Sequence, residues 1–318
     1  MSIAAYIKEI GRGKEGARPL NTAQSSDLFA QVLDRSVTDL EIGAFCLAMR
    51  IKGETPEELD GFVQATLARC LPLESAAHAA PGGIVVLPSY NGSRKLANLT
   101  ALLAAELAQR GVGVLVHGPL QDPARVTSAQ VFEAAGLPVV NSADGLEAAW
   151  LAGKPAFMDV ATLCPGLAAL LSVRWTIGLR NSGHTVAKLL DPFAGATAQV
   201  RSLRVVNHTH PEYAQSLADY LKLTHASALL MRGTEGEPVA DARRQPRFDV
   251  FIHGQRNADL SRAPVEGVLT RLPSLPTTAS PQDTAVFMTT VRAGELPLPP
   301  AIEAQVDCLV GTLQHLGR

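Results

Sequence analysis

The stretch that decides the fold runs over 83–117. It reads Gly83-Ile84-Val85-Val86-Leu87, then an alanine- and leucine-rich segment over 98–110 that ends at Gly111, then Val112-Gly113-Val114-Leu115-Val116-His117. The two apolar runs are continuous, which is typical of strands buried on both faces. A helical segment between two such runs predicts a strand–helix–strand unit, and therefore a parallel sheet covered by helices.

The same alternation continues toward the carboxyl terminus. Short apolar runs predict further strands, at 156–158, 203–206, 228–231 and 251–253. Helices are expected at 127–135, 212–223, 281–293 and 299–316, whereas 234–280 is rich in Pro, Arg and Gly and shows weak periodicity. We therefore expect an α/β domain over 74–318, with a mostly parallel sheet flanked by helices.

Residues 1–73 show helical spacing only. Thr38 precedes Glu41 by three residues, and Thr55 precedes Glu58 in the same way, which is the pattern of a capping box at a helix start. We expect 1–73 to form a small helical domain, joined by part of 165–192. The segment over 74–83 is small and rich in Ala, Gly and Pro, and is interpreted as a linker.

Composition excludes several classes of protein. Of the 318 residues, 47% are apolar and 18% are charged, so a large core is possible and wholesale disorder is excluded. The four cysteines form no CxxC pair, which argues against a zinc knuckle or an iron–sulfur centre. No apolar run is long enough to span a membrane and no secretory signal is recognised, so a cytoplasmic protein without membrane contact is expected. The formal charge of −2 neither favours nor excludes nucleic acid, and an aromatic content of 5% argues against base stacking.

Polar loops follow three of the predicted strands, and parallel strands bring such loops to one edge of the sheet. Asn91-Gly92-Ser93-Arg94-Lys95 supplies one glycine, a hydroxyl and two cations, so it is either an anion site or a solvated turn. His117-Gly118 ends the second strand, without a serine or cysteine nearby that would complete a catalytic triad. Glu235 and Glu237 could hold Mg²⁺, although an acidic turn explains them as well.

Basic residues gather in three parts of the chain. The segment over 174–204 has Asp191 as its single acidic counter-charge and contains Arg174, Arg180, Lys188, Arg201 and Arg204. Arg12 and Lys14 lie in a glycine-rich early loop, and Arg243, Arg244 and Arg247 form a third cluster. Each cluster alone is typical of a solvated surface, but three clusters in a nearly neutral chain favour an anionic ligand.

Several motifs resemble the anthranilate phosphoribosyltransferase (TrpD) family of glycosyltransferases. Val116-His117-Gly118 is similar to that family's Lys-His-Gly-Asn, and Val131-Phe132-Glu133-Ala134-Ala135-Gly136 to its Val-Leu-Glu-Ala-Leu-Gly. Arg174 with Ile177-Gly178-Leu179-Arg180 resembles the segment that binds the acidic aromatic substrate. Gly11-Arg12-Gly13-Lys14 and Leu189-Leu190-Asp191-Pro192-Phe193 are closer to the TrpD-like, YbiB-type subfamily, whose members are implicated in nucleic-acid binding.

The departures from the family pattern concern the phosphate-binding parts. Where the family has Gly-Thr-Gly-Gly-Asp-Gly, this sequence reads Leu87-Pro88-Ser89-Tyr90-Asn91-Gly92, so side chains occupy space that pyrophosphate would need. The residues flanking His117-Gly118 are Val116 and Pro119, and the family's Ser-Ser pair falls at Pro123 and Ala124. The acidic metal pair has no clean match, Glu235 and Glu237 being the nearest. We interpret Ser89, Tyr90, Asn91, Gly92, His117 and Gly118 as a degenerate phosphate site.

The resemblance implies a nucleoside phosphorylase/phosphoribosyltransferase-like fold and a homodimer formed through the N-terminal helices. We hypothesise a non-enzymatic protein without a cofactor that binds DNA or RNA backbone regardless of sequence. The binding residues would be Arg12, Lys14, Arg94, Lys95, Arg174, Arg180, Lys188, Arg201 and Arg204. The alternative is a pentosyltransferase, namely a phosphoribosyltransferase with an altered substrate, that uses Arg94, Lys95 and Mg²⁺ on Glu235 and Glu237. A protein-interaction scaffold is the third possibility.

Overall fold

The computed structural model describes residues 2–195, 200–266 and 273–317. Its first helices are Ala4–Ile10 (α1), Gly13–Gly16 (α2), Thr22–Leu33 (α3), Asp39–Lys52 (α4) and Pro56–Leu67 (α5). The hydroxyls of Thr38 and Thr55 accept the backbone N–H of Glu41 and Glu58, and each glutamate accepts the threonine N–H in return. The prediction of helix starts at these two capping boxes is therefore confirmed.

The helical domain is centred on three aromatic rings. Phe29, Phe45 and Phe62 come from α3, α4 and α5, and their ring centroids lie 4.5 to 6.0 Å apart. Glycine is needed at position 61, because a Cβ atom there would overlap the carbonyl oxygen of Thr22 as α5 crosses α3. The three helices therefore pack closely around a dry apolar centre.

Later segments of the chain return to these helices. Within the described ranges the chain continues with Thr100–Gln109 (α6), Ser128–Ala134 (α7), Ala143–Leu151 (α8), Val160–Leu163 (α9), Pro165–Ser172 (α10), Arg174–Ile177 (α11), Ser182–Ala187 (α12), Glu212–Leu223 (α13), Pro281–Arg292 (α14) and Pro300–Leu316 (α15). Helix α10 packs on α3, and α12 packs on α4 and α5. The segment from α10 to α12 therefore lies between the early helices and the sheet.

The described residues form one eight-stranded sheet, which confirms the predicted α/β class. Its strands are Ile84–Pro88 (β1), Gly113–Gly118 (β2), Val139–Val140 (β3), Ala156–Asp159 (β4), Ser202–His208 (β5), Ala228–Arg232 (β6), Phe248–Ile252 (β7) and Gln255–Arg262 (β8). Their order is β3-β4-β2-β1-β5-β6-β7-β8, with β1 to β6 parallel and β7 and β8 antiparallel. Helices α6 and α15 cover β1, β2 and β5 on one face.

Several elements differ from the sequence expectation, which contained neither β3 nor α8. Strand β8 lies in the region of weak periodicity, because its side chains are mostly exposed at the sheet edge and carry no apolar alternation. The segment interpreted as a linker contains a 3₁₀ helix, Glu74–Ala79, whose Ala76 is fully buried against α8. The small side chains of this segment allow the 3₁₀ helix to pack closely against α8.

The connections between the two parts of the molecule lie side by side. The chain leaves the early helices at 68–73 and returns to them at α10, and the backbone N–H of Leu71 donates to the carbonyl of Leu163 at 2.7 Å. This contact ties the chain that leaves the early helices to the end of α9. No helix in the described part of the chain is both long and apolar enough to cross a bilayer.

Candidate functional site

The loops after β1, β2 and β6 meet at the carboxyl edge of the sheet, as the sequence predicted. Ser93 and Val126 exchange backbone hydrogen bonds of 2.9 Å between the first two loops. The side-chain amide of Asn91 donates to the carbonyl of Glu235 at 2.7 Å and joins the first loop to the third. We call this junction, together with α11 and α12 above it, the cleft.

A buried carboxylate occupies the centre of the loop after β1. Oε1 of Glu237 accepts the backbone N–H groups of Asn91 at 2.8 Å and of Gly92 at 2.7 Å. Its Oε2 accepts the hydroxyl of Ser89 and, at 3.2 Å, that of Ser128. Glu237 is fully buried. Successive backbone N–H groups of this kind form an anion-binding concavity, and here the protein supplies the anion itself.

Glu235 has a similar role at the next turn of the same loop. Its Oε2 accepts three consecutive backbone N–H groups, those of Arg94, Lys95 and Leu96, at 3.0 to 3.1 Å. The two residues interpreted as metal candidates therefore hold the backbone of the degenerate loop. A search of the described residues finds no group of three or more His, Cys, Asp or Glu side chains that could hold a metal ion.

Tyr90 covers the histidine that ends β2. Its hydroxyl lies 2.7 Å from Nδ1 of His117, and the two rings meet edge to face at 5.4 Å. Burial lowers the pKa of His117 to about 4, and its Nε2 has no partner. Gly118 must be glycine, because a Cβ atom would overlap the carbonyl oxygen of Ser89. His117 is thus a neutral, enclosed group rather than an accessible acid or base.

Four cations line the cleft. Arg180 donates to the side-chain oxygen of Asn91 at 2.7 Å, and Arg125 donates to the carbonyl of Gly92 at 3.1 Å. Lys188 donates to the side-chain oxygen of Asn207 at 3.1 Å, and Arg174 forms an ion pair of 2.9 Å with Asp122. Sequence reasoning missed Arg125, although it lies in the polar loop that follows β2.

The pKa values of three basic residues in the cleft are lowered, first by burial and then by nearby cations. Burial, assisted by Arg180 and Arg125, lowers the pKa of Lys188 to about 8 against the attraction of Glu237. Burial and then the neighbouring cations lower the pKa of His184 to about 3. Burial followed by Arg174 and Arg125 also lowers the pKa of Arg180. Neighbouring cations therefore add to the effect of burial at this edge of the sheet.

The expectation that Arg201 and Arg204 join this basic region is wrong. Arg201 precedes β5, so it lies at the opposite, amino-terminal edge, where it donates to the carbonyls of Pro81 and Leu313. Arg204 lies within β5, is 6% exposed and donates to the carbonyl of Leu189. Sequence spacing did not separate the two edges, because β5 has only 7 residues and its two ends lie at opposite edges of the sheet.

The other predicted basic residues lie at different distances from the cleft. Arg94 and Lys95 are exposed at its rim, with their backbone fixed by Glu235. Arg12 is on the early helices, where it pairs with Glu9 at 2.8 Å. The side chain of Lys14 lies outside the described part of the structure.

Two cavities open beside the cations. One of about 230 Å³ lies under α11 and is lined by Tyr90, Asp122, Arg174 and Trp175 among others. The other, of about 510 Å³, lies between the α4–α5 turn and the loop after β5. His184 borders both cavities, so α12 stands between them.

Comparison with known proteins places this geometry in context. Residues 4–70 match the sequence profile of the glycosyl transferase family, helical bundle domain. The chain is 38% identical to the uncharacterized protein YbiB of Escherichia coli (strain K12), over 98% of this chain and 95% of that protein. It is 27% identical to the anthranilate phosphoribosyltransferase of Novosphingobium aromaticivorans, over 69% of this chain and 63% of that enzyme. The crystal structure of anthranilate phosphoribosyltransferase (TrpD) from Thermus thermophilus shares the fold with a TM-score of 0.68 and 19% identity, over 98% and 96% of the two chains.

Proposed function

This chain belongs to the TrpD-like family, as a YbiB-type member, and on that premise we propose that it binds nucleic-acid backbone without reading sequence and does not transfer phosphoribosyl groups. The observation that carries the proposal is how the charged side chains of the cleft are paired. Arg174 is paired with Asp122, whereas Arg125, Arg180 and Lys188 form no ion pair among the described residues. Glu235 and Glu237 are bound by N–H and O–H donors of their own chain. A cleft with excess positive charge attracts a polyanion.

The position of Glu237 argues against the enzyme. Phosphoribosyl pyrophosphate would need the N–H donors that Glu237 already holds, and it would bring a second negative charge next to a buried one. The residues also do not fit Mg²⁺, because Oε2 of Glu235 and both carboxylate oxygens of Glu237 already accept backbone N–H groups or serine hydroxyls. The nucleic-acid proposal requires neither a cofactor nor a metal, and it agrees with the cytoplasmic location expected from the sequence.

The salt dependence of binding tests the proposal. If the cations of the cleft and its rim, Arg94 and Lys95 among them, contact four phosphates, the affinity for a single strand should fall with a log–log slope of about −3, or roughly 50-fold between 50 and 200 mM salt. Reversing the exposed pair with Arg94→Glu/Lys95→Glu should weaken binding at least about tenfold at low salt and reduce that slope by about 1.4. Fluorescence anisotropy of a labelled oligonucleotide measures both quantities.

A matched control has the same change in charge at the opposite edge of the sheet. Arg110 and Lys154 are exposed and precede β2 and β4, so Arg110→Glu/Lys154→Glu should bind with nearly the wild-type affinity. Equal losses in the two double variants would indicate attraction to the net charge of the protein and would contradict a site at the cleft. Absence of binding at low salt would reject the function itself.

The second candidate is a phosphoribosyltransferase with an altered substrate. The 510 Å³ cavity favours it, since this volume lies in the range of small-molecule sites. Titration calorimetry with phosphoribosyl pyrophosphate and Mg²⁺ separates the two candidates. Heat with a defined stoichiometry would support the enzyme, and no heat at millimolar ligand would reject it.

A homodimer through the helical domain is the second part of the proposal. Leu40, Leu47 and Ile51 of α4 are 84%, 49% and 52% exposed and recur at intervals of seven and four residues, so they form one apolar stripe. We expect sedimentation equilibrium to give twice the chain mass of 33.6 kDa, and Leu47→Glu/Ile51→Glu to give a monomer. Leu151→Glu, on exposed Leu151 of α8, is the control and should remain dimeric. An unchanged dimer in the α4 variant would place the interface elsewhere.

A further inference from the structure

The aromatic side chains of this protein are distributed unevenly between interior and surface. The chain has 9 Phe, 4 Tyr and 2 Trp, all within the described residues. Of these, Trp175 and Tyr213 alone are exposed, by 57% and 43%. The remaining aromatic side chains are buried, or half-buried in the case of Tyr6. The low aromatic content argued against base stacking, but it gives no information on where the two exposed rings lie.

Both exposed rings border the cleft. Trp175 lines the 230 Å³ cavity and Tyr213 lines the 510 Å³ cavity, on the two sides of α12. The guanidinium of Arg174, which is paired with Asp122, lies over one face of the Trp175 ring at 3.9 Å and leaves the other face for a ligand. Tyr213 has the ring of His210 beside it, with 6.4 Å between the ring centroids. A single exposed aromatic residue on a protein surface is ordinary. Two exposed rings on either side of Arg180 and Lys188 are unusual and call for an explanation.

The chemistry of this arrangement indicates its ligand. A flat aromatic surface next to a fixed cation stacks with a nucleobase of any identity, while cations take the phosphates. In a duplex the bases are stacked on each other and their faces are covered, so such surfaces can engage only unpaired bases. The 510 Å³ cavity is large enough to admit a base together with its sugar.

We propose that Trp175 and Tyr213 are stacking platforms for unpaired bases, and that the protein therefore binds single-stranded nucleic acid in preference to duplex. This inference rests on the proposed function and adds the class of ligand to it. Arg180 and Lys188, at the two ends of α12, contact the phosphates between the stacked bases. The stacking is indifferent to sequence, which is consistent with binding that does not read bases.

The tryptophan content allows a direct test. Trp150 is buried and donates to the carbonyl of Val114 at 3.1 Å, so Trp150→Phe leaves Trp175 as the single tryptophan reporter. We expect oligothymidylate to quench its emission. A strand of the same length that carries sugar–phosphate without bases should bind through its charges and leave the emission unchanged. A duplex of the same length should bind more weakly than oligothymidylate and cause no quenching.

Variants give the second readout. Trp175→Ala should weaken oligothymidylate binding by about 5- to 100-fold, the range measured for loss of one stacked base, and should change binding of the baseless strand less than about twofold. Trp175→Phe should restore most of the affinity because it keeps an aromatic face. Tyr213→Ala should act in the same direction, whereas Leu223→Ala, which removes an equally exposed side chain of α13, should have no effect.

The outcomes separate this inference from the function on which it rests. Salt-dependent binding of oligothymidylate without quenching, and with no loss in Trp175→Ala and Tyr213→Ala, would overturn the stacking and leave the backbone-binding function intact. Equal affinity for the baseless strand and for oligothymidylate would overturn it as well. Failure of every strand to bind at low salt would reject both.

Discussion

Replacement of Glu237 by alanine is expected to lower the free energy of unfolding by about 4 kcal/mol. The substitution removes an acceptor from four donors: the backbone N–H groups of Asn91 and Gly92 and the hydroxyls of Ser89 and Ser128. A buried donor left unsatisfied costs about 1–3 kcal/mol, and two hydroxyls can rotate to find other partners, so about 1 kcal/mol for each is a fair expectation. Lys188 also loses the carboxylate that stabilises its charge. Equilibrium denaturation in urea measures the change.

A small anion should reverse part of this loss. Alanine removes the carboxylate and leaves space beside two backbone N–H groups, so formate or inorganic phosphate should bind there and raise the melting temperature of Glu237→Ala. Wild-type protein, whose site is filled by Glu237, should show no such rise. Glu133→Ala, which removes an exposed glutamate of α7, should stay within about 0.5 kcal/mol of wild type. A loss below about 1 kcal/mol in Glu237→Ala would show that the carboxylate does not hold the loop.

Acidification from pH 7 to pH 5 is expected to cost about 4 kcal/mol through two histidines. Burial lowers the pKa of His117 to about 4 and that of His184 to about 3, from an ordinary value of 6.5. The unfolded chain therefore binds more protons than the folded protein below pH 6.5, and stability falls as pH falls toward the folded pKa values. At pH 5 each histidine lies about 1.5 pH units below its unfolded pKa, which corresponds to about 2 kcal/mol for each.

The two histidines can be separated from the carboxyl groups that also titrate in acid. His184→Gln removes one titrating group and keeps a polar side chain, so its loss of stability between pH 7 and pH 5 should be smaller than that of wild type by about 2 kcal/mol. His315→Gln, at the exposed end of α15, should show the wild-type pH dependence. Urea denaturation at the two pH values provides the comparison. Identical pH dependence in His184→Gln and wild type would mean that His184 is accessible to protons in the folded state.

The fold could be predicted because its signals are local. The capping boxes at Thr38 and Thr55 lie within four residues, and the continuous apolar runs of β1 and β2 predict buried strands. Strand β8 was missed for the same reason, because an exposed edge strand has no apolar run to show.

The contents of the cleft could not be predicted in the same way. Glu237 reaches the loop after β1 from the loop after β6, and the sequence contains nothing that connects these segments. That Arg125 lies in the cleft is evident only from its hydrogen bond to the carbonyl of Gly92. Arg201 belongs to a basic cluster along the sequence, yet a residue just before a strand and one just after it lie at opposite edges of the sheet. Charge clusters along the chain therefore did not predict which basic residues share one edge of the sheet.

The bond from Glu237 to Ser89 also has a consequence for the newly made chain. The two residues are 148 positions apart, so at about 5–20 residues per second the ribosome needs roughly 7–30 s to supply Glu237 after Ser89 has been added. Throughout that time the donors of the loop after β1 face water, although β1, β2 and β4 can already pair. The loop can therefore reach its final shape only after β6 and Glu237 have been made, and a chain whose synthesis stops before that point carries an unfinished cleft.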